Sequence, residues 1–337
     1  MRWAMAAAMV CVLAAPLGAA EPVKVNSVVV GEETGDPFLG EYTGTCGGLG
    51  AEVKVWPEAG EYRGTVLLST GGTHSENRIQ LAGKAEGAKL VMTGKSGDAE
   101  SRATVADRKL ALDFGGGKTG KLAQAVRVSP TLGEKPPAGA IVLMAYGEGK
   151  PPSLEEWTNA QWKPMPDGSV LVGKGDNRTK RDFGDIRLHL EFMTPYLPDK
   201  GGQGRGNSGV YIQDRYEIQV LDSFGLESKD GDCGGIYKVG APKVNACLPP
   251  GRWQTYDITF TAPRFDAGGK KTANARVTVL HNGKVIHENR EIPSPTGGAR
   301  SKAEVAVAPL RLQDHGNPVR FRNVWVVELK AAEKSEK

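Results

Sequence analysis

An all-β chain of two domains is the fold class that the sequence predicts, and three observations carry it. Glycine is abundant at 45 and proline at 21 of 337 residues, a composition that interrupts long regular segments. Apolar residues recur with a period of two in short runs, each bounded by turn-forming residues. Long helical periodicity is scarce, and at about 315 residues the chain behind its leader is long enough for two cores.

The chain opens with Arg2 and an apolar run from Met5 to Leu17 that ends in Gly18-Ala19-Ala20 before Glu21. Residues 1–20 therefore read as a secretory signal with a small-residue cleavage site, and a periplasmic or secreted protein is expected. No later segment approaches the roughly 20 apolar residues that a spanning helix needs. Cys11 lies inside the signal and lacks the small residue that precedes a lipidated cysteine. Removing Arg2 takes the formal charge from +4 to +3, and the basic and acidic residues interleave, so no basic stripe points to nucleic acid.

From Phe38 the runs are hairpin-sized: Glu52 to Trp56, Tyr62 to Leu68, Arg78 to Ala82, Lys89 to Thr93, Ser101 to Val105 and Lys109 to Asp113. They predict an up-and-down meander or barrel over residues 21–130, with a side-chain-filled interior and an accessory role. His74 reads as part of a polar surface loop. Residues 131–139, rich in Pro and Gly, read as an extended linker.

A second domain is expected over 140–329. Ser153 to Trp157 reads as one capped helical turn. Strands then recur at Ser169 to Val172, Ile186 to Phe192, Val210 to Ile212, Tyr216 to Leu221, Thr255 to Phe260, Ala275 to Leu280, Lys284 to His287, Leu310 to Leu312 and Val319 to Leu329. His281-Asn-Gly283 is a hairpin signal. So many strands of this length fit a two-sheet jelly-roll sandwich. Residues 330–337 are charged and read as a disordered tail.

Signal cleavage leaves Cys46, Cys233 and Cys247. Cys233 and Cys247 flank a Gly/Pro-rich loop and are expected to form a disulfide, worth about 3 kcal/mol for a loop of about 15 residues. Cys46 is left as a buried thiol. Neither Cys-x-x-Cys nor closely spaced Cys/His pairs occur, so zinc is not expected.

Parity places polar groups opposite the aliphatic ones on several strands. Arg187, His189 and Glu191 share one face. Arg311, Gln313 and His315 share another, as do Arg320 and Arg322, and as do Glu217 and Gln219. If these faces converge, acids, amides, an imidazole and a guanidinium line one surface, which suits a sugar. The alternative is a set of solvated strand faces.

Seven motifs in order resemble the 3-keto-disaccharide hydrolase family, a concanavalin-like jelly roll. They are Asp185-Ile-Arg-Leu-His-Leu-Glu-Phe192, Gly206-Asn-Ser-Gly-Val-Tyr211, Tyr216-Glu-Ile-Gln-Val-Leu-Asp222, Trp253-Gln-Thr-Tyr-Asp257, His281-Asn-Gly283, Leu312-Gln-Asp-His-Gly316 and Val319-Arg-Phe-Arg-Asn323. One departure is Leu143-Met-Ala-Tyr-Gly147, where members typically carry Leu-Phe-Asp-Gly. The resemblance implies action on glycosides oxidised at C3, by removal of the C2 proton and loss of the C1 aglycone. It implies Glu217, His315 and Glu191 as base, acid or metal ligands, and Gln219, Gln313, Arg322, Asn207 and Tyr211 as substrate-binding groups. Asp222 and Asp314 read instead as loop buttresses. A divalent metal ion of unknown identity is allowed for. Two other readings stay open, a non-catalytic carbohydrate-binding module and a structural cell-surface protein, because one jelly roll serves several functions.

Overall fold

The computed structural model of the protein describes residues 34–330 apart from 71–72 and 148. The expected signal, the leader up to residue 33 and residues 331–337 of the expected tail lie outside the described residues. The described chain is all-β, as expected, and among the described residues no helix is long and apolar enough to cross a membrane.

The first part is a closed barrel of eight antiparallel strands, from Gly40–Cys46 to Thr119–Ala125, with the first paired to the last. Strict alternation sends Tyr42, Val53, Val55, Val66, Leu90 and Met92 into an interior filled by side chains. His74 does not lie in a loop; its backbone pairs with Ser69 inside the strand Thr73–Glu86.

The second part packs two sheets face to face. The larger includes Ile186–Met193, Gln254–Thr261, Ala275–His281, Lys284–Ile292 and Arg320–Glu328; the smaller has the order Asn177–Phe183, Ala308–Leu312, Ser208–Ile212, Tyr216–Val220. Their inner faces share one core, in which Leu188, Leu190 and Phe192 meet Val210, Ile218, Val220 and Leu310. Ser153 starts a turn, accepting a hydrogen bond from the Glu155 N–H, but no helix follows, because Trp157 bridges to Thr179 instead.

Trp56 faces away from the barrel interior and joins the core of the sandwich. Gly225 accommodates it: its φ is +82°, and a Cβ there would lie 2.1 Å from the indole. The Thr65 hydroxyl donates to the Gly225 carbonyl at 3.1 Å beside this contact. Residues 129–139 do not form a free linker. The Gly133 N–H donates to Glu191, Glu134 pairs with Arg187, and the Glu134 carbonyl accepts from Asn323. The segment is a strap laid across the outer face of the larger sheet.

Trp56→Ala should lower unfolding stability by about 3–5 kcal/mol, the range for deleting a buried aromatic side chain. Urea denaturation measures it, and a loss below about 1 kcal/mol would show that Trp56 does not anchor the barrel.

Candidate active site

The smaller sheet carries one polar rung on its outer face. Glu217 lies opposite Tyr211, and Tyr211 opposite Arg311, across three neighbouring strands. The next rung is Gln219 opposite Gly209, with the Gln313 N–H donating to the Gly209 carbonyl. Gly209 leaves the space that the first rung occupies. A Cβ there would lie 2.6 Å from Glu217 Oε1 and 2.9 Å from the Tyr211 ring.

Arg311 fixes the rung from one end. Its guanidinium lies 3.6 Å from the centre of the Tyr211 ring, a cation–π stack. It also pairs with Asp176 at 2.7 Å and with Asp214, and donates to the Gly298 carbonyl at 2.7 Å. Gly298 closes over Tyr211 so tightly that a Cβ there would lie 2.0 Å from the phenol oxygen.

At the other end Glu217 is buried, with its carboxylate hydrogen-bonded to the Tyr211 hydroxyl and its backbone N–H donating to Thr296. Burial pushes the Glu217 carboxyl above the ordinary range; the Tyr211 hydrogen bond and the charges of Arg311 and His315 offset only part of this. Tyr211 is raised as well, by burial and then by the Glu217 charge beside it, so it stays a neutral donor.

Two buried acceptors on this face have no partner, Gln313 Oε1 beside the rung and Asn207 Oδ1 toward Gln203 and Gln219. A buried carbonyl without a hydrogen bond costs free energy unless a ligand or water completes it. Gln313 Nε2 donates weakly to the Tyr211 oxygen at 3.4 Å, while the Asn207 amide donates to Gln203 at 2.8 Å. The Gln219 amide also turns toward Gln203, at 3.3 Å, and reads as a wall of the site. The group reaches solvent through half-buried Gln313 and exposed His315.

The barrel supports this wall. Its Ala59-Gly60 turn donates backbone hydrogen bonds to the Lys200 and Pro198 carbonyls, and Glu58 lies 3.5 Å from Arg205. Asp222 pairs with Arg205 at 2.7 Å, and Asp314 accepts from the Gly175 and Gly316 N–H groups. Both aspartates thus brace loops.

Glu191 and Arg322 do not join Glu217. They lie on the outer face of the larger sheet, across the shared core, under the strap of residues 129–139. There Glu191 accepts from Arg322 at 2.6 Å and from Asn323 at 2.9 Å, and the Arg322 guanidinium sits about 4 Å from both the Trp253 and Tyr146 rings. Parity alone cannot separate two outer faces of one sandwich. A bulge at Asn323, with φ +47°, adds to the confusion by turning Arg322 and Asn323 to one side.

Arg311 was legible as polar by parity, but its fixing role was not, since Asp176 and Asp214 are distant in sequence. Cys233 and Cys247 are brought together, yet as separate buried thiols in hydrogen-bond contact and not as the expected disulfide. Beside Glu217 the described side chains offer one carboxylate and one imidazole. Among the described residues, the groups of three His, Cys, Asp or Glu side chains able to hold a metal are Cys233/Cys247/His281 and Glu134/His189/Asp257, and Glu217 belongs to neither.

A cleft of about 710 Å³ also lies between barrel and sandwich, but it is lined by charges tied to one another, such as Glu41 with Arg127 and Glu52 with Lys54. Glu217 differs in being a buried carboxylate aligned with a phenol and unfilled acceptors. Residues 139–327 match the 3-keto-alpha-glucoside-1,2-lyase-like domain, and the chain belongs to that family, whose members act on glycosides. No curated protein sequence matches the chain. Among solved structures, one glycosyl hydrolase candidate from Parabacteroides distasonis is 37% identical, with 57% of this chain and 85% of that chain covered and a TM-score of 0.52. A second from the same organism is 18% identical over 52% of this chain and 90% of that one, with a TM-score of 0.37, and adds no weight.

The strap gives a pH prediction. Burial alone would push the His189 imidazole down, but its hydrogen bond to Asp257 at 2.7 Å and the charges of Asp257 and of Glu191, 3.8 Å away, outweigh it, and its pKa is raised from 6.5 to about 9. Glu134 on the strap, Trp325 stacked at 5.0 Å and Arg187 complete its surroundings. This stabilisation is fully present below pH 6.5 and is lost as pH rises through 9. Melting temperature should therefore fall over that window, and the fall should shrink in His189→Gln. An unchanged pH profile in the variant would remove His189 as its source.

Proposed function

We propose that the protein cleaves 3-keto-glycosides by elimination, with Glu217 as the base that removes the C2 proton. The observation that carries this is the buried Glu217 carboxylate, raised in pKa and aligned with the Tyr211 phenol beside two unfilled acceptors. A C3 ketone acidifies the C2 proton. Glu217 takes that proton, the C2–H electron pair forms the enolate with the C3 carbonyl, and the enolate then expels the C1 oxygen of the aglycone. C1 and C2 are left doubly bonded, and water adds to C1 in a later step if the outcome is net hydrolysis. The paired carboxylates of ordinary glycosidases are unnecessary in such chemistry.

Tyr211, kept neutral, is placed to donate to a substrate oxygen once Glu217 is engaged. The amide oxygens of Gln313 and Asn207 accept sugar hydroxyls. His315, exposed at the rim, gives a proton to the departing aglycone. The Arg2 and Met5 to Leu17 pattern, read as a secretory signal, supports action outside the cytoplasm.

Turnover of a 3-keto-glucoside with a chromogenic aglycone tests the reading. Glu217→Gln and His315→Ala should each lower the rate by roughly a hundredfold or more, with native circular dichroism. In the wild type, kcat/KM should fall on the acid side at a pH above the ordinary carboxylate range, since the base must be ionised and burial holds its pKa up. A C2-deuterated substrate should react more slowly. Binding without turnover would install the carbohydrate-binding module instead, and normal rates in both variants would remove the site.

A further inference from the structure

Below the Gln219 rung lies a second cluster, which the proposed reaction does not use. Cys233, Cys247 and His281 converge there, each offering one ligand atom, and these atoms lie within 4.8 Å of one another. All three residues are at most 3% exposed. They come from separate places: a loop paired with Gln219 through Gly234 and Gly235, a second loop, and the end of the strand Ala275–His281.

The hydrogen bonds around His281 fix its tautomer. Gln254 Oε1 accepts from the Leu248 N–H at 2.9 Å and from Asn282 Nδ2 at 3.2 Å, so it must be the carbonyl end of the amide. His281 Nε2, 2.9 Å from the same oxygen, is then the protonated nitrogen. The lone pair is on Nδ1, which is buried and has no partner. Burial, then the Arg127 charge, lowers the pKa of this imidazole to about 3, which keeps it neutral. A ligating histidine typically donates its other ring N–H to a carbonyl or carboxylate in this way.

We infer that Cys233, Cys247 and His281 form a buried binding site for a thiophilic divalent metal ion of the zinc type. Two sulfurs and an imidazole are a soft donor set. Binding releases one proton from each thiol to solvent, and two thiolates with one divalent cation are neutral, which an apolar interior favours over an uncompensated charge. The Tyr256 hydroxyl, 3.1 Å from Cys233 Sγ, stands beside the set and donates to the Gln219 carbonyl at 2.7 Å. The ion would tie the loop of residues 233–247, whose Gly234 and Gly235 pair with Gln219, to the end of the strand Ala275–His281. No sequence spacing announces the site, because His281 is brought to the cysteines by strand pairing.

The test uses the untagged full chain, reduced and freed of metal, titrated with Co²⁺. One equivalent should bind with sulfur-to-cobalt charge-transfer absorption, Zn²⁺ should displace it, and the melting temperature should rise with Zn²⁺. Cys247→Ser should lose the absorption while Cys46→Ser keeps it. The inference is overturned if the reduced wild type takes up neither ion, or if Cys247→Ser binds as the wild type does. A Cys233–Cys247 disulfide in the isolated protein, with no uptake after reduction, would overturn it equally and restore the cross-link. These readouts are independent of sugar turnover, so they stand or fall apart from the proposed reaction.

Discussion

The stack of Arg311 on Tyr211 is the contact on which the candidate site depends. A guanidinium buried to 3% exposure needs partners on every side, and the fold supplies them from four places. Asp176 comes from the edge of one strand, Asp214 from a hairpin turn, the Gly298 carbonyl from a covering loop, and the Tyr211 face from the neighbouring strand. With the ring held, its hydroxyl is kept on the face that carries Glu217 and Gln313. The carboxylate is thus oriented by a residue it touches and by an arginine two strands away.

Space matters as much as charge. Gly209 and Gly298 flank the phenol, and at either position a methyl group would collide with Tyr211 or Glu217. These glycines are required by close approach of side chains to the backbone. Pairing alone would have accepted alanine at Gly209. The loops that complete the walls are in turn braced by ion pairs such as Arg205 with Asp222, and by the barrel hairpin behind them.

The two outer faces of the sandwich carry different polar networks. Under the strap, His189, Asp257, Glu191, Arg322 and Asn323 satisfy one another and the backbone of residues 133–134. In this network the buried Glu191 carboxylate is occupied by Arg322, Asn323 and the Gly133 N–H. Around Glu217 the opposite holds, with buried acceptors left open beside a carboxyl of raised pKa. The barrel, joined to the sandwich through Trp56 and to the loop of residues 198–205 through its hairpin, ties the site's wall to a second core.

The sequence by itself determined the all-β class, most of the strands and the two-sheet sandwich, because a period of two with glycine-rich turns admits little else; closure of the first part into a barrel came from the pairing of Gly40–Cys46 with Thr119–Ala125. It also determined which residues face outward, so Glu217, Gln219, Gln313 and Arg311 were legible as polar positions on strands. Tertiary structure alone decided which outward faces meet. Glu191 and Glu217 have the same parity relative to the core, and only sheet assignment places them on opposite sides of the sandwich. The bulge at Asn323 and the strap over His189 depend on contacts between residues far apart in sequence. So does the meeting of Cys233, Cys247 and His281, where two loops and a strand end bring two thiols and an imidazole into one buried space.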